Sequence, residues 1–191
     1  IEINHCQKLI GKQDQYACAY GGFNAHMFSD EGVKTKNIEI HDSILEHFEN
    51  NLILLYTTKG RAADDILKDQ SQRMTDNEKS FQNMQKMVEL AKQFYTDLKN
   101  EDLSNFGEML DYSWHLKKEI SKGISNSELD EMYDVAKSCG AKGGKVLGAG
   151  GGGFMLLYAD PIAQKCIKEK FSKCRPFNFH FDFDGTTALR V

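Results

Sequence analysis

Residues Lys145 to Tyr158 read Lys-Val-Leu-Gly-Ala-Gly-Gly-Gly-Gly-Phe-Met-Leu-Leu-Tyr. No other part of the chain constrains the fold so strongly. Gly148, Gly150, Gly151, Gly152 and Gly153 each surrender more backbone entropy on folding than any other residue would, so their crowding needs a cause. A backbone stripped of Cβ atoms can approach a ligand closely and present several N–H groups to one anion. The apolar run Phe154 to Tyr158 follows at once and reads as a strand. The loop is therefore anchored to a sheet and does not behave as a linker.

Two familiar phosphate motifs fail here. Gly148-x-Gly150-x-x-Gly153 has dinucleotide-binding spacing, but that fingerprint needs a strand before the loop, a helix opening from it and an acid about 20 positions on. Here the loop opens into a strand, and Glu169 would fall inside the helix begun by Pro161. A P-loop would close on Gly-Lys-Ser or Gly-Lys-Thr, and this loop does not. A glycine-rich hairpin without a ligand is the plain alternative.

A second segment, Gly11-Lys-Gln-Asp-Gln-Tyr-Ala-Cys-Ala-Tyr-Gly-Gly-Phe-Asn24, changes the balance. Asp14 stands between two amides and two residues from Lys12. Such amides can orient a carboxylate or a bound hydroxyl, which suits a base that takes a proton from an alcohol. The plain alternative is a polar turn with Gly21-Gly22 behind it.

Together these segments resemble the GHMP small-molecule kinases. Gly11-Lys-Gln-Asp-Gln15 resembles the segment carrying that family's catalytic aspartate, and Lys145 to Tyr158 its C-terminal glycine-rich motif. Ala19 to Asn24, Leu55 to Asp64, Ser113 to Lys118 and Gly123 to Asn126 are similar to the sugar and heptose-phosphate branch. The resemblance runs the length of the chain. One departure stands out: the family's glycine- and serine-rich loop for ATP phosphates precedes the catalytic aspartate, and nothing here resembles it. The chain thus reads as the C-terminal part of a longer kinase, inactive alone.

Composition narrows the function classes. Twenty-four Lys plus Arg against 28 Asp plus Glu leave a net charge of −4, which argues against nucleic acid as a partner. No apolar run approaches the roughly 20 residues that span a bilayer. Cys6, Cys18, Cys139, Cys166 and Cys174 are odd in number and scattered without a Cys-x-x-Cys pair. Free thiols and a cytoplasmic location are the expectation.

Along the chain, Ile1 to Ile10 reads as the tail of a helix and Tyr16 to Tyr20 as a short helix stopped by Gly21-Gly22. Phe23 to Phe28 and Val33 to Ile40 form a hairpin about Ser29-Asp-Glu-Gly32. Ser43 to Phe48 is helical, and Leu52 to Thr57 is a buried strand. Four helices follow. The first runs from Arg61 to Arg73. The second and fourth are opened by capping boxes, Thr75-x-x-Glu78 and Ser125-x-x-Glu128. The third carries Leu103, Phe106, Leu110 and Trp114 on one face. A last helix opens at Asp160-Pro161.

Phe177, Phe179, Phe181 and Phe183 alternate with polar residues and predict a half-buried strand. His180, Asp182 and Asp184 lie on its outer side, where solvent is the expected neighbour and no metal is assigned. Strands with intervening helices and a terminal antiparallel strand give an α+β fold. The resemblance implies more: residues 1–51 as a remnant of a ribosomal-S5-like N-terminal domain, and residues 52–191 as the ferredoxin-like C-terminal domain.

The function so implied is ATP-dependent phosphoryl transfer to a sugar hydroxyl, the acceptor being a phosphorylated sugar such as a heptose phosphate. Asp14 would accept or orient the hydroxyl proton. Lys12 would act as its cationic neighbour or steady the transferring group. Gly148, Ala149, Gly150, Gly151, Gly152 and Gly153 would line the phosphates, and Arg61 would hold the anionic acceptor. Magnesium ligands are expected mostly outside this chain. Lys59, Lys117 and Lys118 have a plain reading as solvated charges. The rival function is a non-catalytic ferredoxin-like module holding an anionic metabolite on its glycine loop. Oligomeric state is not legible.

Overall fold

A computed structural model describes His5 and residues 10–57, 63–172, 174, 176–177 and 179–187. The expected helix tail before Ile10 falls almost wholly outside these residues, as do Cys6, Lys59 and Arg61. Helix α1 (Gln13–Tyr20) precedes a two-stranded antiparallel hairpin, β1 (Asn24–Ser29) and β2 (Gly32–Asn37), joined at Ser29 and Gly32. Helix α2 (Asp42–Asn50) leads into β3 (Leu52–Tyr56). Four helices follow, α3 (Ala63–Asp76), α4 (Glu78–Lys99), α5 (Phe106–Ile120) and α6 (Ser127–Ser138). Strands β4 (Gly143–Val146) and β5 (Phe154–Tyr158), helix α7 (Pro161–Lys170) and the short β6 (Pro176–Phe177) complete the chain.

The second sheet has the order β4-β5-β3-β6, all pairs antiparallel. With helices between β3 and β4 and between β5 and β6, this is the β-α-β-β-α-β arrangement of ferredoxin-like folds. Alternation along the strands sorts the side chains. Ile53, Leu55, Val146, Met155 and Leu157 join Trp114, Ile120, Ile124 and Ile167 in one core. Leu52 and Tyr158 join Phe48, Leu98 and Leu103 in another, with Phe23, Phe94, Phe106, Phe179 and Phe181 packed against it.

Several local expectations are corrected. Neither capping box forms. Asn77 caps α4 by accepting from Ser80 N–H, and Asn126 caps α6 by accepting from Leu129 N–H. In each case Asn, an equally good cap, stands one or two positions beyond the Thr or Ser. The phenylalanine run is not one long strand, because β6 stops at Phe177. Beyond it a side chain replaces the ladder: Glu49 Oε1 accepts from Phe181 N–H at 2.7 Å, and Glu49 Oε2 lies 3.2 Å from His180 Nδ1. The segment then passes under α1, with Gly22 N–H donating to the Asp182 carbonyl at 2.5 Å and Thr186 Oγ1 to the Cys18 carbonyl at 3.0 Å. Phe183 is 54% exposed, against the inward reading.

The thiol reading is corrected too. Cys139, at the end of α6, is disulfide-bonded to Cys166 in α7. The pair was hidden because 27 residues separate the two cysteines, and only the α6–α7 packing brings them together. Closing a loop of that length limits the unfolded chain by roughly 3.5 kcal/mol.

Candidate active site

Two glycines set the geometry of this region. A Cβ added to Gly143 would run into the Gly107 carbonyl oxygen and come within 2.7 Å of Asp111 N; one added to Gly107 would run into Lys142 Cβ. Helix α5 and strand β4 therefore approach backbone to backbone. They also run side by side. From Gly107 to Lys117 the helix rises roughly 15 Å, and from Gly143 to Gly148 an extended chain covers roughly 17 Å. The helix so placed delivers Lys117 to the start of the glycine loop, where its Nζ donates to the Gly148 carbonyl at 2.7 Å.

The loop itself is a hairpin tip that only glycine builds without strain. Gly148, Gly150, Gly151, Gly152 and Gly153 all have positive φ, between 67° and 138°, which any other residue adopts at a cost. The hairpin closes with Leu147 N–H donating to the Phe154 carbonyl at 2.8 Å. Two braces hold it. Gly151 N–H donates to the Ile124 carbonyl at 2.8 Å. On the far side, Thr57 N–H and Oγ1 donate to the Gly153 carbonyl at 2.8 and 3.0 Å. Gly151 thus spends its donor inside the protein. Space is open at Gly148 and Gly153, where an added Cβ would meet nothing within 4 Å.

Lys117 is only 9% exposed. Burial, with the neighbouring charge of Lys145 as the second cause, pushes its ammonium down to about 8, and the charge of Asp14 opposes that shift. Lys145 lies on β4 two residues after Gly143 and so points to the same side of the strand. It is half-buried; burial lowers its pKa and Asp14 again opposes the shift. Asp14, in the first turn of α1, is where an acid suits the helix dipole. Its carboxylate acts on two lysines, one bonded to the glycine loop and one leading into it. Asp14 itself is exposed.

Lys12 is the N-cap residue of α1 and makes no side-chain capping bond. The cations whose charge Asp14 offsets are Lys117 and Lys145. The solvated reading of Lys117 is overturned by its burial, and that of Lys118 by its ion pair with Asp130 at 3.0 Å and its place over the Trp114 and Tyr133 rings. Lys145 had no assigned role in the sequence, although it opens the glycine motif. A cavity of about 460 Å³ between α2 and the start of α5, lined by His47, Asn51, Ser104, Glu108, Lys142 and Tyr158, lies at the other end of α5 from Lys117. It is no part of this region. Among the described residues no three His, Cys, Asp or Glu side chains gather as a metal site. No helix among them is long and apolar enough to cross a membrane.

A hairpin of positive-φ glycines on a ferredoxin-like sheet is the frame of this region, and the chain that builds it has known kin. The family described as GHMP kinases C terminal matches residues 78–174, and the chain belongs to that family. Among curated proteins, the D-glycero-alpha-D-manno-heptose 7-phosphate kinase of Campylobacter jejuni is 32% identical over 184 residues, covering 95% of this chain and 54% of that protein. The bifunctional fucokinase/GDP-fucose pyrophosphorylase of Arabidopsis thaliana is 25% identical over 143 residues, covering 74% of this chain and 13% of that protein. Among solved structures, a Campylobacter jejuni protein crystallised as a candidate sugar kinase superposes with a TM-score of 0.67 at 26% identity, over 100% of this chain and 54% of that one. The mevalonate kinase of L. major in complex with R-mevalonate has the same TM-score at 19% identity, over 84% and 47%; it shares the fold. The chain spans about half the length of the heptose kinase it matches.

Proposed function

We propose that this chain is the C-terminal part of an ATP-dependent sugar kinase acting on a phosphorylated heptose. One observation carries the reading. Lys117, bonded to the Gly148 carbonyl, feels the charge of Asp14, which supports a reading in which a base and an anion-binding loop far apart in sequence serve one cleft. The 32% identity to a heptose 7-phosphate kinase supports the acceptor. Residues 1–51 are assigned to an N-terminal domain remnant, for which the separate β1–β2 sheet speaks, and residues 52–191 to the C-terminal domain.

In the reaction, the sugar hydroxyl oxygen bonds to the γ-phosphorus while the bond from that phosphorus to the β–γ bridging oxygen breaks. ADP departs with the electron pair, and the hydroxyl proton passes to Asp14. Such transfer needs positioning and charge stabilisation more than covalent chemistry. Gly148, Ala149, Gly150, Gly152 and Gly153 are assigned to the phosphates. Lys12 is assigned to the transferring group and Arg61, on sequence grounds, to the acceptor phosphate. Magnesium enters with the nucleotide, since phosphates and waters commonly supply most of its ligands.

The test compares kcat/KM for heptose 7-phosphate and unphosphorylated heptose in the full-length protein. A charge-assisted hydrogen bond contributes about 1.5–3 kcal/mol, so the phosphorylated sugar should be favoured by roughly 10- to 100-fold. Equal efficiency would sink the phosphosugar assignment. Binding of heptose 7-phosphate without any ADP production would favour the non-catalytic module. Arg61→Ala should erase much of the preference; an unchanged preference clears Arg61 of the role.

A further inference from the structure

The free cleft carries more positive charge than it neutralises. Lys117 is buried, with its ammonium on the Gly148 carbonyl. Lys145 is half-buried on the same side of β4 that meets α5, and no hydrogen bond or ion pair engages its side chain among the described residues. Asp14 is the acid that acts on both. Two cations against one carboxylate, partly out of water, are unfavourable until a further anion joins them. Open space lies at Gly148, the residue whose carbonyl Lys117 holds, and lysine binds phosphate well as a point charge.

We infer that Lys145 and Lys117 together form a receptor for one phosphoryl dianion at the Gly148 end of the glycine loop. Lys145 contacts the phosphoryl oxygens. Lys117 adds its charge while holding the loop in the receiving conformation. The inference rests on the phosphotransfer reading for the identity of the physiological ligand, and the ligand chemistry is the same for a nucleotide γ-phosphate and for the acceptor's own phosphate. Lys117 also gains a function for its burial. Its lowered pKa means that protonated Lys117 destabilises the folded state at neutral pH, a penalty relieved as pH rises from about 8 toward the ordinary 10.5. A buried cation kept at that disadvantage suits a site completed by an anion.

The first probe is inorganic pyrophosphate, titrated into the protein by calorimetry and followed by the NMR shift of the Lys117 Cε group. In the free protein Lys117 should titrate near pH 8, with Lys145 and Asp14 as the facing charges; pyrophosphate should raise that midpoint. Lys145→Met should weaken pyrophosphate at least tenfold and Lys145→Arg should restore most of the loss. Lys117→Met should raise the melting temperature at pH 7 while weakening binding, whereas a lysine that merely props the loop would lower it on removal. Pyrophosphate that leaves the midpoint in place, or binds Lys145→Met as well as wild type, overturns the inference. Parallel titrations with the non-hydrolysable ATP analogue AMP-PNP and with heptose 7-phosphate identify the source by which affinity Lys145→Met reduces. If both affinities survive the substitution, the receptor is refuted even where the kinase assay succeeds. If pyrophosphate binding behaves as expected and no ADP is formed, the receptor stands and the kinase reading falls.

Discussion

Asp14→Asn should lower kcat by roughly 10²- to 10⁴-fold, the usual worth of general-base assistance, and should change nucleotide affinity by far less. Asparagine keeps the shape of the side chain and its place in the first turn of α1 but cannot take the hydroxyl proton. The structure adds a second consequence. Among the described residues, Asp14 is the group that opposes the downward shift of Lys117 and Lys145. With its charge gone, both ammonium groups should lose protons more readily, so the Lys117 midpoint should fall below about 8. The variant therefore carries two signatures, a collapsed turnover and a displaced lysine titration. Steady-state kinetics and the NMR titration read them separately. Near wild-type turnover removes Asp14 from catalysis; an unmoved Lys117 midpoint removes it from the lysine cluster.

The sequence exposed this site unevenly. The glycine run was legible because five glycines together have few other uses, and all five do adopt positive φ. Asp14 stands out in the sequence through its segment, and its charge acts on Lys117 and Lys145. Lys117 was not, because its sequence neighbours give no sign that it would be buried. Its burial follows from α5 lying against β4, a contact made by Gly107 and Gly143, which are far apart in the chain. Lys145 was not legible, because its partial burial depends on β4 pairing with β5 and packing on α5. The strand order β4-β5-β3-β6 is likewise a tertiary fact, though helix and strand alternation was enough to indicate α+β. The failures share a cause. Asn77 and Asn126 displaced the expected caps, and Glu49 ended the phenylalanine strand by supplying its own acceptor to Phe181 N–H. Each is a competition between two adequate partners that local pattern cannot decide.

The close approach of α5 and β4 should make Gly143→Val among the most damaging single substitutions in the domain. Gly143 has no positive φ, so valine is conformationally acceptable there and even suits a strand. The penalty is steric. A Cβ at this position collides with the Gly107 carbonyl and approaches Asp111 N, both helix backbone, so neither can rotate away as a side chain would. The whole helix must retreat. Overpacking of this kind costs about 1–3 kcal/mol and sometimes more, and each kcal/mol lowers the melting temperature by roughly 2–4 °C at this chain length. Two backbone clashes put this substitution at the upper end of that range, about 3 kcal/mol, so the expected fall is roughly 6–12 °C. Gly148→Ala is the matched contrast: its φ of 67° strains alanine, yet nothing lies within 4 Å of the new Cβ. Its cost should stay near about 1–2 kcal/mol. The retreat of α5 should also withdraw Lys117 from the Gly148 carbonyl and return its titration toward 10.5, the ordinary value. Gly143→Val with a melting temperature within 2 °C of wild type would mean that the two backbones are not in contact, and the route by which Lys117 reaches the loop would then have to be different.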